Sequence, residues 1–279
     1  MRQLANNFFQ TGTSLIIEGT TGLTVIDPGW DAVGSTRTDT SVHETYALAR
    51  HKDKPITRVI LSHNHQDHCA NLQVYLRQTP DLELIVGPHS PFKKFADQVI
   101  DINPGKVKQV IDGIEETIFV TPGHSKQGDD ISIYFPQPKI LFCGDLAQPQ
   151  GESYAKTDFV TPLPFYYDGD LYLASLSLLK SVDFDILVTG HGQVLGNQRG
   201  YEWLDTTQKT IKRTQELATQ LVRDHPTKSD LELGRWILET IGYERNTPKS
   251  TIRARSNSKD FEDYDFQGIK FWLDYAKRT

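Results

Sequence analysis

Leu61-Ser-His-Asn-His-Gln-Asp-His-Cys-Ala-Asn71 is the stretch on which the reading of this chain turns. It extends the apolar run Val59-Ile60-Leu61 and places four metal-capable side chains, His63, His65, Asp67 and His68, almost side by side. In an extended segment residues two apart point to the same side, so His63 and His65 can reach one ion together. A helix starting near Asp67 turns Asp67 and His68 toward a second point, which makes two adjacent ions possible. Three of the nine histidines of the chain fall here in a strict H-x-H-x-D-H, a concentration that a merely polar surface loop does not explain. The context that confirms such a motif is a strand before it and a helix after it.

Three further motifs follow, each after a β-type run: Thr121-Pro-Gly-His124-Ser125, Phe142-Cys-Gly-Asp145 and Thr189-Gly-His191-Gly192. Upstream stands Val25-Ile26-Asp27-Pro28-Gly29. Taken together, and in this order, the motifs resemble those of the metallo-β-lactamase superfamily, and they span Asp27 to His191, more than half the chain. The periodicity alone says mixed α and β. The resemblance implies more: an α/β (α+β) fold built as a four-layer αββα sandwich, here with a helical C-terminal extension.

The resemblance also assigns roles. His63, His65 and His124 are implied ligands of a first metal, Asp67, His68 and His191 of a second, and Asp145 is the implied bridging carboxylate. Asp67 and Asp27 are the acids implied in catalysis, Asp27 by buttressing a ligand histidine and fixing its tautomer. Three imidazoles and a shared carboxylate suit Zn²⁺, and the same donors accept Fe or Mn. Two divalent ions at roughly 3.5–4 Å can hold a bridging hydroxide and lower the pKa of water to about 7. The implied activity is therefore that of a dinuclear metal-dependent hydrolase acting on a small ester, lactone or thioester.

Where the chain departs from its resemblance, rival readings arise. Hydroxyacylglutathione thioesterases and lactonases usually carry two glycines soon after the H-x-H-x-D-H, whereas Cys69-Ala70-Asn71 stands here. Acyl-homoserine lactonases place a tyrosine three residues after the bridging aspartate, and here that position is Gln148. Only the segment from Leu146 to Gly190 separates Asp145 from His191, too little for the inserted domain of many nucleic-acid-processing members. Two alternatives stay open: a phosphodiesterase or nuclease acting on nucleotide or RNA, marked by salt-dependent oligonucleotide binding, and an iron-dependent oxidoreductase of the same superfamily.

At 279 residues the chain can bury a large core. A net charge of −6 gives no general attraction to phosphate backbones, so nucleic acid is disfavoured as a partner and a small-molecule substrate is expected. Met1 to Gln10 lacks the apolar stretch of a signal peptide and no run is long enough to span a bilayer, so the expected location is the cytoplasm, away from membranes. Self-association is left open. The two cysteines, Cys69 and Cys143, read as reduced, packed thiols beside the metal motifs.

In chain order, strands are expected at Ser14–Gly19, Leu23–Ile26, Arg58–Leu61, Leu82–Val86, Val107–Ile111, Ile114–Val120, Ile131–Phe135, Ile140–Cys143 and Ile186–Val188. Asp112-Gly113 is a strong hairpin signal. Helices are expected from Ser41 to Arg50, from Pro91 to Ile100, from Leu171 to Leu179, and over Tyr201–Arg223, Lys228–Ile241 and Phe266–Ala276. Residues 1–199 are thus expected to form the metal-binding domain and 200–279 the helical extension. The aromatic segment holding Tyr154, Phe165, Tyr166 and Tyr167 is the candidate substrate wall. The basic run Lys249, Arg253, Arg255 and Lys259 reads as a solvated charged loop.

Overall fold

The computed structural model describes residues 1–30, 41–103, 105–149, 163–244, 256–257, 259 and 261–279. Strands β1 (Arg2–Ala5), β2 (Phe8–Thr11), β3 (Ser14–Glu18) and β4 (Leu23–Ile26) form an antiparallel meander. Helix α1 (Ser41–Lys52) leads to β5 (Ile56–Ile60), which pairs parallel to β4. Helices α2 (Gln66–Cys69) and α3 (Leu72–Gln78) then lead to β6 (Glu83–Val86) and β7 (Gln98–Val99), both parallel additions that complete a seven-stranded sheet in sequence order.

The second sheet contains β8 (Lys106–Ile111), β9 (Ile114–Val120), β10 (Ile131–Phe135), β11 (Ile140–Phe142), β12 (Ile186–Val188) and β13 (Val194–Gly196). Helix α4 (Gly169–Lys180) makes the crossover that lets β12 lie parallel to β11. Helices α5 (Asn197–Asp224), α6 (Asp230–Glu244) and α7 (Phe266–Arg278) follow, with a π-helical turn at Phe261–Asp265.

Period-2 alternation sorts the strand side chains into three apolar layers. Leu15, Ile17, Ile60 and Ile85 of the first sheet meet Ile118, Ile133, Phe135 and Phe142 of the second in a shared central layer. Their alternates Ile16, Val59, Leu84 and Val86 face outward and pack with Leu48, Leu72 and Tyr75 of the N-terminal helices. On the other side Leu141 and Leu187 pack with Leu176, Trp203, Leu204, Ile211 and Trp272 of α4, α5 and α7. These layers make the expected αββα sandwich. Helix α5 begins at Asn197, before Gly200, and the C-terminal helices share one core with β11 and β12.

Some elements differ from the sequence expectation. Pro91–Ile100 holds only a 3₁₀ turn at Lys93–Phe95, then β7. Asp97 pulls this segment onto the sheet: its carboxylate accepts from Leu84 N at 2.8 Å while its own N–H donates to Leu84 O at 2.8 Å. Strands β1, β2 and β13 carry no strong sequence signal and form by pairing with neighbours already in place. Tyr154, Lys249, Arg253 and Arg255 lie outside the described residues, and Lys259 is exposed, 3.8 Å from Asp263.

Polar links also join the sheets. Asp112 and Gly113 both adopt positive φ (50° and 81°), as a two-residue hairpin requires, and Asp112 reaches across to the β3–β4 turn. There its carboxylate accepts from Thr21 N at 2.8 Å and from Gly22 N at 2.9 Å. Deeper in, Arg58 of β5 forks onto Glu116 of β9, with both side chains almost fully buried. Removing one member of such a pair strands the other charge, so Arg58→Met is expected to lower unfolding free energy by about 3–5 kcal/mol. Arg58→Met combined with Glu116→Leu is expected to recover most of that loss in urea titrations at neutral pH, because no buried charge is then left unpaired.

Candidate metal centre

Parallel pairing brings the carboxyl ends of β4 and β5 to the same edge of the first sheet, which sets Asp27 beside Ser62 and His63. Asp27 sits at φ 54°, a left-handed conformation that an aspartate tolerates better than most residues. The turn it opens docks on the histidine loop: Gly29 N donates to His68 O at 3.0 Å, Asn71 N to Gly29 O at 3.1 Å, and Asn71 Nδ2 to Pro28 O at 3.0 Å. Asn71, standing where glycines were expected, is thus the residue that clamps this turn.

The Asp27 carboxylate is wholly buried and accepts three hydrogen bonds, from Ser62 N at 2.7 Å, Ser62 Oγ at 2.6 Å and His68 Nδ1 at 2.9 Å. With its hydroxyl proton committed to Asp27, Ser62 Oγ is left to accept from His63 Nδ1 at 2.9 Å. One acid therefore sets two tautomers, His68 directly and His63 through Ser62, and turns both Nε2 lone pairs inward. Sequence reasoning did not pick out Ser62, whose only signal is its place just before the first histidine.

His124 comes from the loop after β9, and its Nδ1–H donates to Phe165 O at 2.8 Å, again leaving Nε2 inward. His65 Nδ1 lies 3.0 Å from His63 Nε2 and 3.1 Å from His124 Nε2. Three imidazole nitrogens thus converge on one point. The spacing is close to that of tetrahedral nitrogen ligands, about 3.3 Å apart when each bond is about 2.0–2.1 Å.

A second convergence lies beside it. Asp67, His68 and His191 have ligand atoms within 4.8 Å of one another. Asp145 Oδ2 is 3.0 Å from His191 Nε2, 3.5 Å from His68 Nε2 and 3.6 Å from His124 Nε2. It therefore borders both sets. His68 Nε2 and Asp145 Oδ1 are buried without a hydrogen-bond partner among the described residues, a costly arrangement for two polar atoms unless a cation completes it. On that ground the residues present fit a bound metal ion.

Electrostatics point the same way. Burial, reinforced by neighbouring imidazoles, holds His63 well below the usual histidine range, and burial beside His124 brings His65 down to about 3. Burial also lowers His124. These three imidazoles stay neutral, as ligands must. His68 goes the other way: burial opposes its charge, but Asp145 and Asp67 outweigh burial and raise it well above the usual range. Burial pushes the thiols of Cys69 and Cys143 up to about 12, so both are inert, unpaired packing groups.

The aromatic expectations divide. The half-buried ring of Phe165 lies 5.8 Å from that of His65 and 5.4 Å from that of His124, and Tyr167 packs on it at 5.3 Å. Tyr166 does not line the site. The chain alternates here, so its ring points into the helical core, where its hydroxyl accepts from Trp272 Nε1 at 3.0 Å. Tyr264, missed from sequence, is exposed and stands 5.6 Å from Phe165. It comes from the turn before α7, far away in the chain, and nothing local marks it.

The model of the metallo-beta-lactamase superfamily matches residues 8–191, most of the chain, and the chain belongs to that superfamily. Its relatives make it a metallohydrolase. A hydroxyacylglutathione hydrolase of Glaesserella parasuis is 28% identical over 200 residues, covering 71% of this chain and 74% of that protein. Among solved structures, a metallo-beta-lactamase family protein from Thermus thermophilus superposes with a TM-score of 0.66 at 12% identity, covering 99% of this chain and 95% of that one. The sec-alkylsulfatase Pisa1 from Pseudomonas sp. gives 0.65 at 15% identity, covering 98% of this chain and 49% of that one. Both likenesses speak for the fold. No described helix is long and apolar enough to cross a membrane.

Gly190 lies directly against two side chains of the centre. A Cβ there would lie 2.4 Å from Asp145 Oδ1 and 2.7 Å from His68 Cε1. Gly190→Ala is therefore expected to push both groups aside and to weaken metal binding by about 10-fold or more. Elemental analysis after dialysis against a weak chelator, with far-ultraviolet dichroism unchanged, checks this.

Proposed function

We propose that this metallohydrolase works with two divalent ions and hydrolyses a small ester, lactone or thioester whose acyl part rests on Phe165, Tyr167 and Tyr264. The observation that carries the reading is the position of Asp145 Oδ2, within 3.6 Å of His124 on one side and of His68 and His191 on the other. In this reading His63, His65 and His124 hold one ion, Asp67, His68 and His191 hold the other, and Asp145 serves both. Bound there, the ions supply Lewis acidity and acidify water enough to provide a nucleophile near neutral pH. Zinc suits the donors best, and iron or manganese are accepted by the same set.

The remaining residues orient and exclude. Asp27 and Ser62 keep the inward nitrogen of His63 and of His68 aimed at the site, so neither ring needs to rotate. Asp67, partly exposed, is the acid placed where substrate and water can meet it. The aromatic face beside His65 and His124 desolvates whatever lies over it, which suits an acyl chain better than a phosphate backbone. The 28% identical relative, whose substrate by name is an acylated glutathione, supports the thioester class.

The test is elemental analysis of the purified chain together with a panel of lactones, thioesters, esters and phosphodiesters. Two ions per chain and turnover of an acyl substrate that stops on chelation are expected. One ion per chain in metal-replete protein, or turnover of the phosphodiester alone, refutes the proposal.

A pH dependence follows. Protons compete with a metal only at groups they can occupy. The imidazoles of His63, His65 and His124 resist protonation well below their usual range, whereas His68 takes a proton readily beside Asp145 and Asp67. As pH falls from 7.5 to 4, the ion on the His68 side is expected to leave first and the ion on the three-histidine side at lower pH. Metal content after equilibrium dialysis should fall from two to one before it reaches zero, and a single concerted loss would contradict the assignment.

Selectivity is expected to sit in the aromatic wall. Phe165→Ala and Tyr264→Ala should each leave metal content unchanged, and at least one should shift the ratio of kcat/KM for long against short acyl chains by about 10-fold. Unaltered ratios in both would mean the rings only cover the core.

A further inference from the structure

Gln148 lies three residues after Asp145 and is 1% exposed. Its Oε1 accepts from the backbone N–H of Phe165 at 2.7 Å. That donor fixes the orientation of the amide, since only the oxygen can accept, and Nε2 is then buried with no hydrogen-bond partner among the described residues. A side chain present only to fill space would avoid this desolvation, as leucine or methionine does. The acceptor is what the position provides.

What it holds is the peptide that orients a metal-site histidine. Phe165 receives the Gln148 acceptor at its N–H, and its carbonyl receives His124 Nδ1–H at 2.8 Å. The same segment is stapled to the residue before His124, because Gly123 O accepts from Tyr167 N at 2.9 Å and from Asp168 N at 3.2 Å. Tyr172 closes the arrangement by donating its hydroxyl to Asp145 O at 3.0 Å and Leu146 O at 2.9 Å, so the loop that carries Gln148 is itself anchored. Free to tilt, the Phe165 carbonyl would leave His124 able to adopt the other tautomer, with its proton on the nitrogen that faces His65.

We infer that Gln148 is a positioning residue: through the Phe165 peptide it fixes the tautomer and aim of His124, and the same peptide sets the Phe165 ring over the site. The role rests on the proposed metal-binding function of His124. It gives the segment after Asp145 a task in both halves of the site, tying the bridging acid, the third histidine and the aromatic wall into one rigid unit.

The experiment measures zinc affinity of the full chain by competition with a chromogenic chelator, in the natural protein, Gln148→Met and Gln148→Glu. Gln148→Met keeps the length and loses the acceptor, and is expected to weaken zinc binding by about 10-fold, the lower end of the effect seen when a ligand's outer partner is removed. Gln148→Glu keeps the acceptor and is expected to stay close to the natural protein. An unchanged affinity in Gln148→Met, or an equal loss in both variants, overturns the inference. Nitrogen-15 spectra of the zinc-loaded natural protein provide a test that no folding defect can obscure: His124 is expected as the Nδ1–H tautomer, and an Nε2–H signal overturns the inference. Failure of the natural protein to take up zinc would instead count against the proposed metal centre itself.

Discussion

A single buried carboxylate, that of Asp27, organises the proposed metal centre. It has no exposed surface, yet it is held by three donors drawn from the next strand and from the helix that carries the second donor set. Bonded to one backbone N–H, one hydroxyl and one imidazole, it orients His68 directly and His63 through Ser62. The Asp-Pro-Gly turn, the left-handed backbone at Asp27 and the Asn71 clamp all serve to place this one group.

The sandwich supplies the rest by topology. Parallel strands end at the same edge, so β4 and β5 deliver Asp27 and His63 side by side, and β11 and β12 deliver Asp145 and His191 in the same way from the facing sheet. The central apolar layer presses those edges together, and Gly190 leaves room for them to meet. The outer helices are built on the opposite face of the second sheet, yet the turn before α7 reaches round to put Tyr264 against Phe165.

Much of this was legible in the sequence, for a physical reason. Metal donors must be spaced by the pleat of a strand and the pitch of a helix, so His63, His65, Asp67 and His68 leave a local signature, and the apolar runs before Asp27, His124, Asp145 and His191 mark the strands that carry them. Features made by tertiary pairing leave no such trace. Strands β1, β2 and β13 are short and exist because a neighbour is present. The segment after Pro91 looked helical, and Asp97 draws it onto a sheet edge instead. Tyr166 and Phe165 are adjacent aromatics that composition cannot tell apart, and only the alternation of the backbone sends one into the core and the other toward the site. Ser62, Gln148 and Tyr264 act through partners brought close by folding, at sequence separations no motif spans.

The division of the donors between two sheets bears on how the protein comes into being. His63, His65 and His68 emerge from the ribosome long before His124, Asp145 and His191, and until the second sheet docks they form only half a site. Contacts between such distant positions are the slow ones to form, since the intervening chain must close first. Before the second sheet docks, the chain therefore presents only the first part of the proposed donor set, and the whole set exists only once both sheets are in place.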